Sequence, residues 1–384
     1  MDALSQFFAV LALLYALECV RWTPRSTLVL RALAVRNFRR ARFSPLFGSP
    51  RAGLIWLQPL PPLGTALLVE AWPVAPSPTG LATREPLELE LAQRAPFQAQ
   101  ALTWEHVEQI RARDSVLEVN GREFARCGSN RAARELAQTL EELRDAREPE
   151  RAGIVRRALG HAFDAGELRA RVERYFTLTR GVRSLCNTQF GVLAVATPIA
   201  VYTWGTLWSW LPLVAALVAL NVAITVRARR IARELTPDCT DELQRLTLAC
   251  ALSPISALRV LDELARPLVA DLHPLSAAAL APAADRAEIV RLVAVDALHP
   301  RRVEAVDPLA LDCARWFSAE IVAAAARAGH DLRAAAAPPA PEDTSMDGYC
   351  PRCQRQFPAG HDVCFDCTTP IEPLSRASNA AARP

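Results

Sequence analysis

The sequence predicts an α+β membrane protein with five parts in order: an N-terminal anchor helix, a small β-rich domain, a transmembrane helical hairpin, an α-helical region and a C-terminal metal-binding module. Three observations predict it. Residues 184–226 form a run of 43 positions without a charge. Residues 53–128 break into short apolar runs separated by prolines and an Asn120-Gly121 pair. The last four of ten cysteines form two CxxC pairs.

A chain of 384 residues, 51% of them hydrophobic, can bury at least one sizeable core and holds two or three folded pieces. The net charge of +3 creates no global field that would recruit nucleic acid. All 44 basic residues are arginine, in keeping with a coding bias that also enriches Ala, Pro and Leu. The missing lysine excludes chemistry that depends on it: a Walker A loop, a protein kinase strand and a pyridoxal Schiff base. The six histidines (His106, His161, His273, His299, His330 and His361) are scattered, with no HExxH pair.

The uncharged run exceeds the roughly 20 residues that one membrane helix needs, and it divides near Gly205. The division gives helices over 185–203 and 207–226, with Trp204, Trp208 and Trp210 at a turn suited to the headgroup layer. Neither half shows a polar face, against the reading of a buried hairpin in a soluble protein. Residues 1–22 read as an uncleaved anchor: 18 uncharged or nearly uncharged residues at about 1.5 Å each just span a bilayer. Asp2 ahead of the run, and Glu18 before Cys19, fit neither a cleaved leader nor a lipoprotein. Residues 21–51 carry eight arginines and no acidic residue, and arginines also flank the hairpin at Arg180, Arg183, Arg227 and Arg229. Arginine beside a membrane segment marks the cytosolic side, so the expected location is a multi-pass cell membrane, the bacterial inner membrane, with most of the chain cytosolic. The basic stretch 21–42 either binds anionic headgroups or only sets topology; the second is favoured.

Residues 43–150 read as a β-rich cytosolic domain ending in a helix. Residues 54–57 and 65–72 are strand-like, and Asn120-Gly121 is a strong hairpin turn because both positions need φ > 0. Asn130 is placed to cap a helix reaching about Leu143. Several strands closed by one helix resemble a pleckstrin-homology-like roll in element order, over about 90 residues and without a diagnostic motif. Residues 151–183 form a helical connector, in which Asp164-Ala-Gly-Glu167 is a capping box. Residues 234–332 read as an α-helical cytosolic region, with Ser253-Pro254 and Asp307-Pro308 as helix starts. Residues 333–347 are rich in Ala and Pro and read as a flexible linker; if extended it would reach about 45 Å.

The module at 348–375 carries the chemistry. Cys350-Pro-Arg-Cys353 is followed, after ten residues, by Cys364-Phe-Asp-Cys367. Each pair offers two thiolates from one tight turn, and four thiolates at about 2.3 Å complete a tetrahedron around Zn²⁺. So short a segment cannot build a stable core, so metal binding would do the folding. Residues 349–374 resemble the zinc-ribbon superfamily. They differ from its frequent pattern by Gln354 and Thr368 where glycine often follows each knuckle. The resemblance implies one structural Zn²⁺ held by Cys350, Cys353, Cys364 and Cys367. A redox dithiol pair is the competing reading, and His361 reads as a loop residue outside the ligand set.

Four thiolates leave no open position for a catalytic water, so the module is expected to hold a surface for a partner. Arg352, Arg355 and Phe357 suit a phosphate-and-stacking surface, weak support for a nucleic-acid partner. Three functions follow. The favoured one is a membrane-anchored interaction, scaffold or regulatory protein with the bilayer and a protein as partners. The others are a membrane-associated enzyme with an unrecognised site in the helical region and a subunit of a transport complex. Asp271-Leu-His273 is the nearest enzyme candidate and reads as a helix-end feature. Asn187, Gln189 and Asn221 read as polar links between membrane helices.

Overall fold

The computed structural model describes residues 20–23, 27–32, 38–40, 48–49, 53–57, 65–84, 99–204, 211–235, 264–281, 283–299, 307–343, 345–365 and 369–374, with a few isolated positions elsewhere. Contacts divide the chain into two units, and neither is continuous in sequence. The first takes in residues 1–24, 28–69 and 166–271; the second takes in 25–27, 70–165 and 272–384. Of the expected anchor helix over 1–22, Gln6, Val10 and Leu13 are helical, whereas Val20, Arg21 and Trp22 are strand, so its last turn is not helical; its other residues, the Ser253-Pro254 start and residues 205–210 of the Trp-rich turn lie outside the described residues.

In the first unit the chain is already extended where arginine dominates. Strands β1 (Val20–Thr23), β2 (Thr27–Ala32), β3 (Phe38–Arg40), β4 (Gly48–Ser49), β5 (Gly53–Leu57) and β6 (Thr65–Glu70) form two three-stranded sheets, ordered β1-β5-β4 and β3-β2-β6. Arg21 is paired with Trp56 in one ladder and Arg31 with Arg39 in the other. The basic stretch read as flanking a membrane is therefore also sheet-forming, because its interleaved Val, Leu, Trp and Thr suit a pleated strand. The β-rich region starts at Val20, well before residue 43.

The second unit begins with β7 (Val74–Pro76), β8 (Gly80–Thr83) and β9 (Ala101–Thr103), an antiparallel sheet in that order. A second sheet follows: β10 (Ile110–Arg113), β11 (Val116–Val119) and β12 (Arg122–Arg126). Asn120 and Gly121 take φ of 51° and 74° between β11 and β12. The Asn120 side chain also accepts from the Glu108 and Gln109 amides, tying the turn to the segment ahead of β10. Helix α1 (Asn130–Asp145) starts one residue earlier than expected: Ser129, not Asn130, is the cap, and its Oγ accepts from Ala132 N at 3.1 Å. Leu136, Leu140 and Leu143 turn inward from α1, which lies on β10 and β11. Helix α2 (Glu148–Ala162) then packs against α1.

From Ala165 the chain runs as helix to Trp204: α3 (Ala165–Gly191), a π segment (Val192–Ala196) and α4 (Thr197–Trp204). Pro198 has no N–H for an α-helical ladder, and the π segment stands just ahead of it. There Thr197 N–H and its Oγ both reach Val192 O. The first arm expected of the hairpin is thus the end of a longer helix. Helix α5 (Leu211–Leu235) is the one helix among the described residues that is long and apolar enough to cross a membrane. It touches the π segment, and Val214, Val218, Val222 and Val226 on it are each more than half exposed.

The second unit resumes with α6 (Pro274–Ala278), α7 (Ala283–Leu298), α8 (Pro308–Arg327) and α9 (Leu332–Ala335). Asp307 Oδ1 accepts from Leu309 N at 2.9 Å and Pro308 holds the first helical position, as read from sequence. Helix α8 lies on β7, β8 and β9. A pleckstrin-homology-like roll has its strands closed by the helix that follows them. Here α1 closes only the second sheet, and the first is closed by α8, which comes some 200 residues later in the chain. A single continuous core results, running from Val74 through Leu143 and Val155 to Phe317 and Leu332.

Both parts of the Asp271-Leu-His273 candidate serve the fold. Asp271 accepts two hydrogen bonds from Arg171, at 2.7 and 2.9 Å. His273 is buried, with its ring edge-on to Phe163 and its Nδ1 accepting from Leu275 N at 3.2 Å to cap α6. Burial, with a smaller push from the Arg84 charge, holds its pKa down at about 3. An unfolded histidine takes a proton near pH 6.5, so below that pH the unfolded chain gains a proton the folded one refuses. His273 therefore contributes fully above pH 6.5, and stability falls by up to about 1.4 kcal/mol per pH unit as pH drops towards 3. Asparagine caps helices and cannot titrate. The expected result is that His273→Asn flattens the fall in denaturant midpoint between pH 7 and pH 5. An unchanged acid slope would show that His273 is not its source.

Candidate metal centre

The C-terminal module is a three-stranded antiparallel sheet of β13 (Met346–Tyr349), β14 (Gln356–Pro358) and β15 (Glu372–Pro373), with β13 in the middle. Gly348 is needed on β13, since a Cβ there would press into Ile371 and the Glu372 carbonyl. The chain leaves β13 at Cys350 and turns back into β14 within six residues. Cys350 N donates to Arg355 O at 2.9 Å, and Gln354 N donates to Cys350 O at 2.7 Å. Gln354 takes φ of 60°, the left-handed position that ribbons often give to glycine, so the knuckle keeps its shape at some cost in strain. One of these bonds recurs at the second pair. Cys364 N donates to Thr369 O at 2.9 Å, the same five-residue step as Cys350 to Arg355, and a bridge between Val363 and Pro370 closes its base.

The two turns bring Cys350, Cys353 and Cys364 together, with their sulfurs all within 4.8 Å of one another. Cys353 Sγ and Cys364 Sγ are 3.7 Å apart. Ligands at about 2.3 Å on a tetrahedron stand about 3.8 Å apart, whereas a disulfide needs about 2.05 Å. The spacing therefore suits a shared metal ion. Cys350 and Cys364 are fully buried against Phe357 and Ile371, which shields the thiols from solvent on one side. Cys367 lies outside the described residues. His361 is exposed, beside the Phe357 ring and outside the thiol cluster. Cys127, Cys186 and Cys313 are buried, as core residues.

Around the centre the side chains face inward to the same chain. Arg352, between the first two thiols, is buried and donates through Nη1 to His299 O, just past the end of α7, at 2.8 Å. Glu372 accepts from Tyr349 Oη at 3.2 Å and lies 3.3 Å from His299 Nδ1. Burial and the Glu372 charge push the Tyr349 phenol up to about 12, so it stays a donor. Gln356 spans two backbone groups of the preceding segment: its Nε2 donates to Ala340 O at 2.7 Å, and its Oε1 accepts from Glu342 N at 2.8 Å. The segment read as a flexible linker is thus tied down at Ala340 and Glu342, and it opens with α9 and the buried Ala336.

These contacts also rearrange the expected surface. Arg352 and Phe357 are buried, so Arg352, Arg355 and Phe357 do not form one exposed face. Arg355 instead stacks at 4.8 Å over the exposed ring of Phe365, which the sequence reading passed over. Nothing in the spacing of Arg352 or Gln356 announces their partners, since His299, Ala340 and Glu342 lie 14 to 53 residues away. No family model, curated protein or solved structure matches this chain. Its chemistry has to be read from its own side chains.

Proposed function

We propose that the chain is a multi-pass membrane protein whose C-terminal ribbon holds one structural Zn²⁺ and whose soluble unit serves as a docking body, not as a catalyst. The thiol cluster carries this reading. Soft thiolate donors favour zinc among common cellular ions. The repeated hydrogen-bond step after Cys350 and Cys364 makes Cys367 the chain equivalent of Cys353, and so the fourth ligand. A set of four thiolates saturates a tetrahedral ion and leaves no place for a reactive water. For the membrane part, the uncharged residues 184–204 run about 31 Å as helix, long enough to pair with α5 as the second arm of a hairpin. The exposed Val195, Ile199 and Tyr202 on that arm match the exposed valines of α5. An apolar surface of that extent suits lipid far better than water.

Two measurements on the full-length protein test the proposal. Reporter fusions after Arg144 and after Ala335 are expected in the cytosol, and one at Gly205 outside; an external signal from either of the first two overturns the topology. The second compares proteins co-purifying with wild type and with the Cys364→Ser, Cys367→Ser double variant at matched expression. Loss of a cytosolic partner from the variant supports docking. Identical profiles favour a second reading, for which the Arg352–His299 and Gln356 contacts speak: the ribbon as a clasp on its own chain.

A further inference from the structure

The Arg227 side chain of α5 reaches back to α3 at Gly181, where its guanidinium occupies the space a Cβ would take. Within about one helical turn of Gly181 and Arg227 on their helices stand Arg180, Arg183, Arg229 and Arg230, which with Arg227 make five arginines. Residues 177–185 and 223–231 contain no Asp or Glu to offset them. Among the described residues none of the five forms an ion pair with a carboxylate, and Glu167 and Asp271 on the same unit are already bonded to Arg171. Arg180, Arg227 and Arg230 are exposed. Arg183 and Arg229 are half-buried, each with a buried Nε that finds no acceptor. The Arg183 guanidinium is held in place at 4.1 Å over the Phe176 ring and by a bond to Thr179 Oγ1 at 3.1 Å. Past this belt the charge stops on both helices, at Ser184 and at Val226; exposed large apolar side chains start at Val226 on α5 and at Val195 on the other arm.

We infer that these five arginines form a collar that binds the phosphates of anionic lipid headgroups, a docking surface for one class of lipid that goes beyond bilayer insertion. The inference rests on the membrane reading above. Several guanidiniums with free N–H donors at one level suit phosphate oxygens, which arginine grips through two bonds at once. The joined apolar band selects a lipid over free phosphate, because the same ligand then fills both surfaces. Five positive charges, with Glu234 one turn beyond Arg230 as the nearest acidic residue on α5, favour headgroups with a net negative charge over zwitterionic ones.

The test uses the full-length protein reconstituted in phosphatidylcholine vesicles carrying spin-labelled phosphatidylglycerol or spin-labelled phosphatidylcholine, and reads the relative association constants of the two labels. Phosphatidylglycerol is expected to associate several-fold more strongly, and the preference should shrink as salt is raised. Replacing Arg180, Arg227 and Arg230 together by Gln should cut the preference by roughly tenfold, or to parity if it starts lower, since each arginine near an anionic surface adds a few-fold to binding. Lysine at the same three positions should keep most of it. Equal constants in the wild type, indifference to salt, or a preference that survives the Gln variant overturns the collar while leaving bilayer insertion standing. Failure of the wild type to enter phosphatidylcholine vesicles removes the membrane reading itself, and the collar with it.

Discussion

Full-length protein stripped of metal, or carrying Cys350→Ser, is expected to lose the ordered state of residues 346–374. Among its described residues the C-terminal module has Tyr349, Phe357, Ile371 and Leu374 to bury beside its thiols, too little apolar surface to hold a fold. Structural zinc in such modules supplies about 10–16 kcal/mol, so the loss should be all-or-none and not graded. The expected readings are one zinc per chain in the wild type, none retained after Cys350→Ser or Cys367→Ser, and collapse of hydrogen-exchange protection across β13, β14 and β15. The effect should also reach α7. Arg352 caps the chain at His299 O only while the first knuckle is formed, and the His299 amide, bonded to Val295 O, should exchange faster once it is gone. Protection that survives complete metal removal would refute metal-driven folding of this module. Zinc retained by Cys367→Ser would remove that residue from the ligand set.

Phe317→Ala is expected to be the most damaging single change in the second unit, costing about 3–5 kcal/mol. Phe317 is fully buried on α8 and stacks on Trp72 with ring centroids 5.8 Å apart and planes within 15°. The Arg84 guanidinium lies 5.6 Å from the same ring and is paired with Asp296 on α7. Truncation would open a cavity, end an aromatic pair and leave Arg84 without its apolar support. Because Trp72 and Arg84 flank β7 and β8, protection should fall together at β7, β8 and α8, although those segments stand more than 200 residues apart. Phe317→Leu should cost distinctly less. A loss below about 1 kcal/mol for the alanine variant, read by hydrogen exchange in the intact protein, would show that this contact is not central to the core.

Much of the candidate centre was legible because its chemistry is local. A CxxC turn positions its own two sulfurs, and the spacing of two such turns is enough to propose a shared ion. The left-handed Asn120-Gly121 turn, the Asp307-Pro308 helix start and the uncharged stretch ahead of Arg227 are likewise properties of a few neighbouring residues. The misplaced cap at Ser129 shows the limit of such rules: Ser and Asn stood side by side, and one residue of phase separated them.

What the amino-acid sequence determined by itself was therefore the set of turns, the thiol donors and the places where charge ends. The tertiary structure decided which faces are covered. Arg352 reads as a surface cation until His299 O receives it, and the strands at 74–103 look ready for the nearest helix until α8 arrives from beyond the apolar run. The physical reason is one of range. Backbone dihedrals and ligand spacing are set within a few bonds, whereas burial depends on which distant apolar surface excludes the most water when the chain closes on itself.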